Sequence, residues 1–274
     1  MTDFSPVPLT IEGSSVLHQF FEFDWKAWRG TPDRTRILEE ATQTLRSLEP
    51  GKNPDTIQSA LYSVVGHKGD LMLVHFRDSV EDLNRVELVL AQTAFYGFLT
   101  PTSSYLSIVE LSLYESSRQT YSSLAERGLE QHSPEWDAAI EEVLDRQREA
   151  MAKRLFPSVP PAKHICFYPM DRSRTGDQNW YALPFDERRS LMHDHSMIGR
   201  RYGNRVRQII SGSIGLDNWE WGVDLFADDP VVFKQLIYEM RFDPASSLYA
   251  TFGPFQVGVR LPVDQLDAWT QGHL

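Results

Sequence analysis

One order of elements, β-α-β-β-α-β, occurs twice in this chain of 274 residues, and that repetition limits the available folds more than any other feature. In the first copy "SVLHQFFEFDW" (15–25) reads as a strand. "KAWRGTPDRTRILEEATQTLRSL" (26–48) reads as a helix after a turn at Gly30 and Pro32. "TIQSALYSVVG" (56–66) and "DLMLVHFRD" (70–78) form a strand pair around "HKG". "SVEDLNRVELVLAQT" (79–93) is predicted helical, with Leu83, Val86 and Leu90 on one face, and "SSYLSIVELSLY" (103–114) is the closing strand.

The second copy begins with "HICFYPM" (164–170) as a strand and "PFDERRSLMHDHSMIGRRY" (184–202) as a helix. Strands at 205–213 and 219–227 follow. A helix over 228–240 starts with Asp and Pro at its cap, and a last strand spans 250–261. The copies echo each other in residues as well. Phe76, Leu83 and Val86 lie 150 residues before Phe226, Phe233 and Leu236, and His18 and Phe21 lie 146 before His164 and Phe167.

The pattern predicts an α+β fold of two ferredoxin-like halves. Each half has helices on one sheet face, so the other face must be buried against its counterpart. The expected divisions are an N-terminal arm at 1–13, a first half at 14–114, a helical connector at 115–160 and a second half at 161–274. The connector is polar, carries one helix near 134–152 and leaves through the Pro-rich "FPSVPPAK".

Composition removes several functions. A formal charge of −11 and the lack of an RNP-type aromatic run argue against nucleic-acid binding or attachment to an anionic membrane. A lone cysteine, Cys166, excludes internal disulfides. The N-terminus lacks a secretory pattern and no run nears the roughly 18 apolar residues of a spanning helix. A cytoplasmic protein is expected. "SGSIG" (211–215) lacks the glycine a nucleophile elbow needs two residues before Ser213, and no phosphate-cradling loop for a nucleotide cofactor is present.

The chemistry-bearing residues gather in the second half. "HDH" (193–195) suggests a metal pair, but residues two apart on a helix point about 200° apart. His193 and His195 therefore cannot share an ion. His195 instead joins Arg188, Leu191, Met192, Ile198, Gly199 and Tyr202 on an inward stripe. It is either a hydrogen-bonded core histidine or the single imidazole ligand of a large cofactor's iron, with Gly199 allowing close approach. Alternation on the strand at 164–170 puts Tyr168 and Met170 on one face, as core or as pocket. Between 172 and 207 there are eight arginines against four acids. This excess is either a solvated face, an oligomer contact or a site for a carboxylate-rich ligand.

"CFYPMDRSR" (166–174), the run from Asn179 to Pro230 containing "RRSLMHDHSMIGRRYGNRVRQIISGS", and "YEMRFDPASSLYATFGPFQVGVR" (238–260) together resemble the coproheme decarboxylase family of the chlorite dismutase superfamily. The likeness is close over about 165–260; the first half agrees in element order and in "PTSSYLSIVELSLY" (101–114). It implies an α+β barrel in a homopentamer. The implied reaction is peroxide-dependent oxidative decarboxylation of two propionates of iron coproporphyrin III (coproheme) to give haem b. His195 corresponds to the proximal iron ligand, Tyr168 to the radical-forming tyrosine and Gln208 to the distal position. Arg154, Met170, Arg241 and Ser246 correspond to positions lining the substrate or holding propionates. Arg172 stands where relatives often carry lysine, so it keeps the cation and replaces a point charge by a fork. Chlorite-degrading members place an arginine at the distal position, so glutamine there disfavours chlorite chemistry. A non-catalytic porphyrin carrier and a peroxidase are the competing readings.

Overall fold

In the computed structural model, residues 7–51 and 56–273 are described. The first half comprises strand β1 (Thr10–Phe23), helices α1 (Trp25–Gly30) and α2 (Arg34–Leu48), β2 (Ser59–Val65), β3 (Leu71–Arg77), α3 (Val80–Ala91) and β4 (Leu99–Ser112). Two helices follow, α4 (Tyr114–Glu126) and α5 (Pro134–Leu155). The second half comprises β5 (His164–Arg172), the small hairpin β6 (Arg174–Thr175) and β7 (Gln178–Asn179), α6 (Phe185–Arg201), β8 (Arg207–Gly212) and β9 (Trp221–Ala227). It continues through α7 (Val231–Met240), α8 (Pro244–Ser247), β10 (Ala250–Phe252), β11 (Gln256–Arg260) and α9 (Leu266–Thr270).

The strands of the first half run β2-β3-β1-β4 and those of the second β11-β5-β9-β8, the same order in both. The edges of one half pair with those of the other. β11 joins β2 through Val257–Arg260, and β8 joins β4 at Ile108 and Val109. An eight-stranded ring results, which leaves no open edge between the halves. The two inward sheet faces fill the ring with Phe20, Tyr62, Met72, Val74, Tyr105, Ile165, Phe167 and Phe226. The expected α+β barrel is present, and its interior is packed core.

Polar groups in that core join the halves. His18 Nε2 lies 2.9 Å from Asp224 Oδ1 with both side chains buried, and the His18 ring stacks on Phe167 at 4.1 Å. His75 Nδ1 lies 2.8 Å from the Ser59 hydroxyl, and burial, with the charges of Arg77 and His18, pushes the His75 imidazole down to about 3. An unfolded histidine takes up its proton near 6.5, whereas folded His75 does not until about 3. Its contribution to stability is therefore complete above pH 6.5 and is lost as pH falls from 6.5 toward 3, at about 1.4 kcal/mol per unit. Urea titrations of wild type and His75→Leu should show this slope in the wild type and a flatter limb in the variant.

Several local expectations need correction. The predicted single helix over 26–48 is two helices broken at Thr31–Asp33, where Asp24 caps the first through the amides of Lys26 and Ala27. β1 begins at Thr10, inside the segment expected to be an arm, and residues 1–6 of that arm lie outside the described residues. The connector holds a second helix, α4, hidden by its serine-rich composition. Tyr121 and Leu124 of α4 pack against Trp136 of α5 in a small separate core, which compensates for weak local propensity. The final strand is interrupted between Phe252 and Gln256, where Gly253 and Pro254 break the ladder.

The outer faces of the two halves differ, and this difference positions the site. α2 closes the first face with Ile37, Leu38, Ala41 and Leu45 all buried. α6 occupies the corresponding place in the second half, yet among its described residues only Arg188 is buried.

Candidate active site

α6 has a complete helix charge pattern, with Asp186 and Glu187 in its first turn and Arg200 and Arg201 in its last. It packs mainly on α7 and α8. Leu191, Met192, His195, Ile198 and Gly199 are consequently only half-buried, although they form the stripe that should seal against a sheet; His193 is exposed. The strand face opposite is half-open in the same way at Met170, Gln208, Phe252 and Phe255. A helix that meets the sheet at a few points, with Ile198 on the Tyr168 cluster, Met192 on Arg172 and Gly199 beside Gln208, forms a half-buried seam that would open into a slot for a flat apolar body.

His195 stands on the helix wall of this slot. Its Nδ1 lies 2.7 Å from Asp243 Oδ2. The Ser246 hydroxyl lies 3.1 Å from the same carboxylate oxygen and 3.3 Å from Nδ1. Asp243 caps α8 by accepting the Ser246 amide at 3.2 Å, so the turn that starts α8 also holds the imidazole. Burial pushes the Asp243 carboxyl up. The hydrogen bond and charge of His195, with the Ser246 hydroxyl and amide, outweigh it and hold the group below its ordinary value. An ionised carboxylate only accepts, so Nδ1 carries the hydrogen that this contact needs and Nε2 is the ring nitrogen turned from it.

Tyr168 stands on the strand wall, its ring 4.5 Å from Phe255 and 5.8 Å from Phe252. Burial pushes its phenol well above the usual tyrosine range. Among the described residues its hydroxyl has no hydrogen-bond partner. Gln208 reaches toward α6, with Oε1 3.8 Å from where a β-carbon on Gly199 would stand. The Arg241 guanidinium lies 4.0 Å above the Phe252 ring at the slot's rim. Arg154, at the end of α5, has its pKa lowered by burial and by the neighbouring guanidiniums of Arg207 and Arg200, so three cations from three elements lie near one another.

Tyr168 and Met170 pack with Phe252, Phe255 and Ile198 in one cluster, Gln208 lies beside Gly199, Arg241 lies over Phe252, and His195 is one turn before Ile198 on α6. Ser246 is turned toward the Asp243 carboxylate, and the Arg172 guanidinium is held by the Ala245 carbonyl and the Met192 sulfur. Sequence reasoning missed Asp243, Phe252 and Phe255. The "DPAS" run (243–246) is a readable cap signature for Asp243, but its contact with His195 spans 48 residues and has no local signal.

The donor set suits a macrocyclic metal complex. Among the described residues no group of three or more His, Cys, Asp or Glu side chains could hold a metal ion. One oriented imidazole is what an iron already bound by a porphyrin requires. Asp243 Oδ1 is buried with no partner among the described residues, so the carboxylate's contacts to His195 and Ser246 all run through Oδ2. Among the described residues no helix is long and apolar enough to cross a membrane.

Comparison with known proteins agrees with this geometry. The chlorite dismutase family matches residues 34–261. A provisionally named heme-binding protein of Natronomonas pharaonis is 42% identical over 265 residues, covering 95% of this chain and 41% of that protein. The chain thus spans less than half the length of that relative. A solved structure of a heme-binding protein from Thermus thermophilus is 38% identical, with a TM-score of 0.82 over 97% of this chain and 99% of the other. A mutant chlorite dismutase of Candidatus Nitrospira defluvii shares the fold, at 16% identity and a TM-score of 0.70 over 95% of this chain and 97% of that one.

Proposed function

Because the chain belongs to the chlorite dismutase family, we propose that it binds an iron porphyrin in the slot beneath α6 and converts iron coproporphyrin III to haem b with hydrogen peroxide. The observation that carries this reading is an imidazole fixed through Nδ1 at 2.7 Å from Asp243, in the half of the molecule where a buried phenol has no protein partner for its hydroxyl among the described residues.

When bound, the iron would supply the oxidising chemistry with peroxide. His195 Nε2 would hold it from the helix side and leave the other face open, where Gln208 would orient the peroxide. Tyr168 stays protonated throughout the working pH range because burial raises its pKa. It would therefore leave as a neutral radical, losing an electron and a proton together. That radical would take a hydrogen atom from the propionate carbon next to the ring. Loss of a second electron then breaks the bond to the carboxylate, releasing carbon dioxide and leaving a vinyl group. Each propionate gives up two electrons and one proton, and one peroxide takes those two electrons with two protons, the second from solvent, and becomes two waters. Arg154 and Arg241 would hold carboxylates at the rim, Met170 would line the ring edge, and Ser246 would act through Asp243. The same reading carries a homopentameric assembly in the cytoplasm.

A carrier that binds without turnover is the second reading, favoured by the heme-binding names of both similar proteins. Chromatography of the porphyrin after peroxide separates the two: haem b supports catalysis, and unchanged iron coproporphyrin leaves the carrier. Arg241→Met should weaken iron coproporphyrin by about 10- to 100-fold, the value of one charge-assisted hydrogen bond, and should affect haem b far less. Absorbance titrations with the two porphyrins measure both constants.

A further inference from the structure

Arg172 carries the cation expected at a propionate, but its guanidinium is held by the protein. The residue is 8% exposed although it sits at the end of a strand beside the slot. Nη1 donates to the Ala245 carbonyl at 2.7 Å, and Nη2 lies 3.1 Å from Met192 Sδ. The guanidinium plane stacks at 4.2 Å on the Trp180 ring, itself buried. The strand end is fixed as well, because the Arg172 amide donates to Glu220 Oε2 at 2.7 Å.

The two partners of the fork are the two elements that meet at His195. Ala245 belongs to α8, between the Asp243 cap and Ser246. Met192 lies on α6, one helical turn before His195. Resting on the porphyrin reading above, we infer that Arg172 is a positioning residue for the iron-binding histidine. It ties α8 to α6 so that Asp243 meets His195 Nδ1, and it does not clamp a propionate. A lysine ammonium has three donors and could reach both partners, but it has no planar face to lay over Trp180 and fixes neither bond's direction as the fork does.

The test is the iron–histidine stretch of the ferrous, haem b-loaded protein, which reports how strongly the imidazole Nδ1–H is held. Arg172→Met is expected to lower the frequency toward that of Asp243→Asn. Arg172→Lys, which keeps the charge and serves if the methionine variant does not fold, is expected to fall between. The ratio of Kd values for iron coproporphyrin and haem b should stay at the wild-type value in both. An unshifted stretch, with that ratio changing about tenfold or more against iron coproporphyrin, would overturn the inference and return Arg172 to the propionate. Absence of any iron–histidine stretch in the wild type would instead refute His195 as the ligand. The strut would then be decided in the apoprotein by exchange of the His195 Nδ1 proton, expected about tenfold faster in either variant if Arg172 holds the pair, and unchanged if it does not.

Discussion

Tyr168→Phe is expected to take up iron coproporphyrin with wild-type affinity and absorbance and, on adding peroxide, to leave its propionates in place. The substitution removes one hydroxyl from a side chain held by Phe252 and Phe255, and the ring that makes those contacts remains. No protein group is bonded to that hydroxyl among the described residues, so its loss disrupts no network and should cost little stability. The chemistry has no substitute, because phenylalanine has no O–H that can lose an electron and a proton to give a radical able to take a hydrogen atom. Turnover should fall by about a thousandfold or more, roughly 4 kcal/mol in barrier. Normal turnover in this variant, measured by haem b formed per unit time, would remove Tyr168 from the reaction.

His195→Ala should show the second large effect, loss of the axial ligand with a changed Soret band and a porphyrin that washes out. Asp243→Asn is the finer probe. An amide can still accept from Nδ1, but it does not carry the charge that makes the imidazole a strong donor to iron, and affinity or activity should fall by about 10- to 100-fold. Asp243 has a further signature in acid. Its folded pKa lies below its ordinary value of 3.8, so its stabilisation is complete above that value and is lost as pH falls through the lower folded pKa. In Asp243→Asn the acid limb below about pH 4 should lose this component. An unchanged Soret band in His195→Ala would point to another ligand.

Much of the fold follows from periodicity. Period-two strands and the repeat of Phe76, Leu83 and Val86 at Phe226, Phe233 and Leu236 give both halves, and burying two open sheet faces requires that they close on each other. The helical period likewise turns His195 inward and His193 outward, as found. What periodicity cannot supply is distance across the chain. It places Arg172 on the same strand face as Tyr168, but whether a long side chain meets a ligand or the Ala245 carbonyl depends on packing between β5, α6 and α8. Asp243 escapes a sequence reading for the same reason. A stripe of Leu191, Met192, Ile198 and Gly199 also reads as ordinary core; only the structure shows that these residues stay half-buried where they meet the sheet. α4 is hidden by composition, because serine and threonine weaken helix propensity and only the contact with Trp136 stabilises the turn pattern.

The central claim is best tested by adding hydrogen peroxide in measured equivalents to the protein loaded with iron coproporphyrin III, and weighing the porphyrin by mass spectrometry after each addition. The expected result is a three-propionate species that rises with the first equivalent and gives way to haem b with the second, one peroxide consumed per carboxylate lost. A porphyrin whose mass does not change as peroxide is consumed, in protein that shows normal axial ligation, would contradict the decarboxylase and leave a haem-binding protein with the same slot.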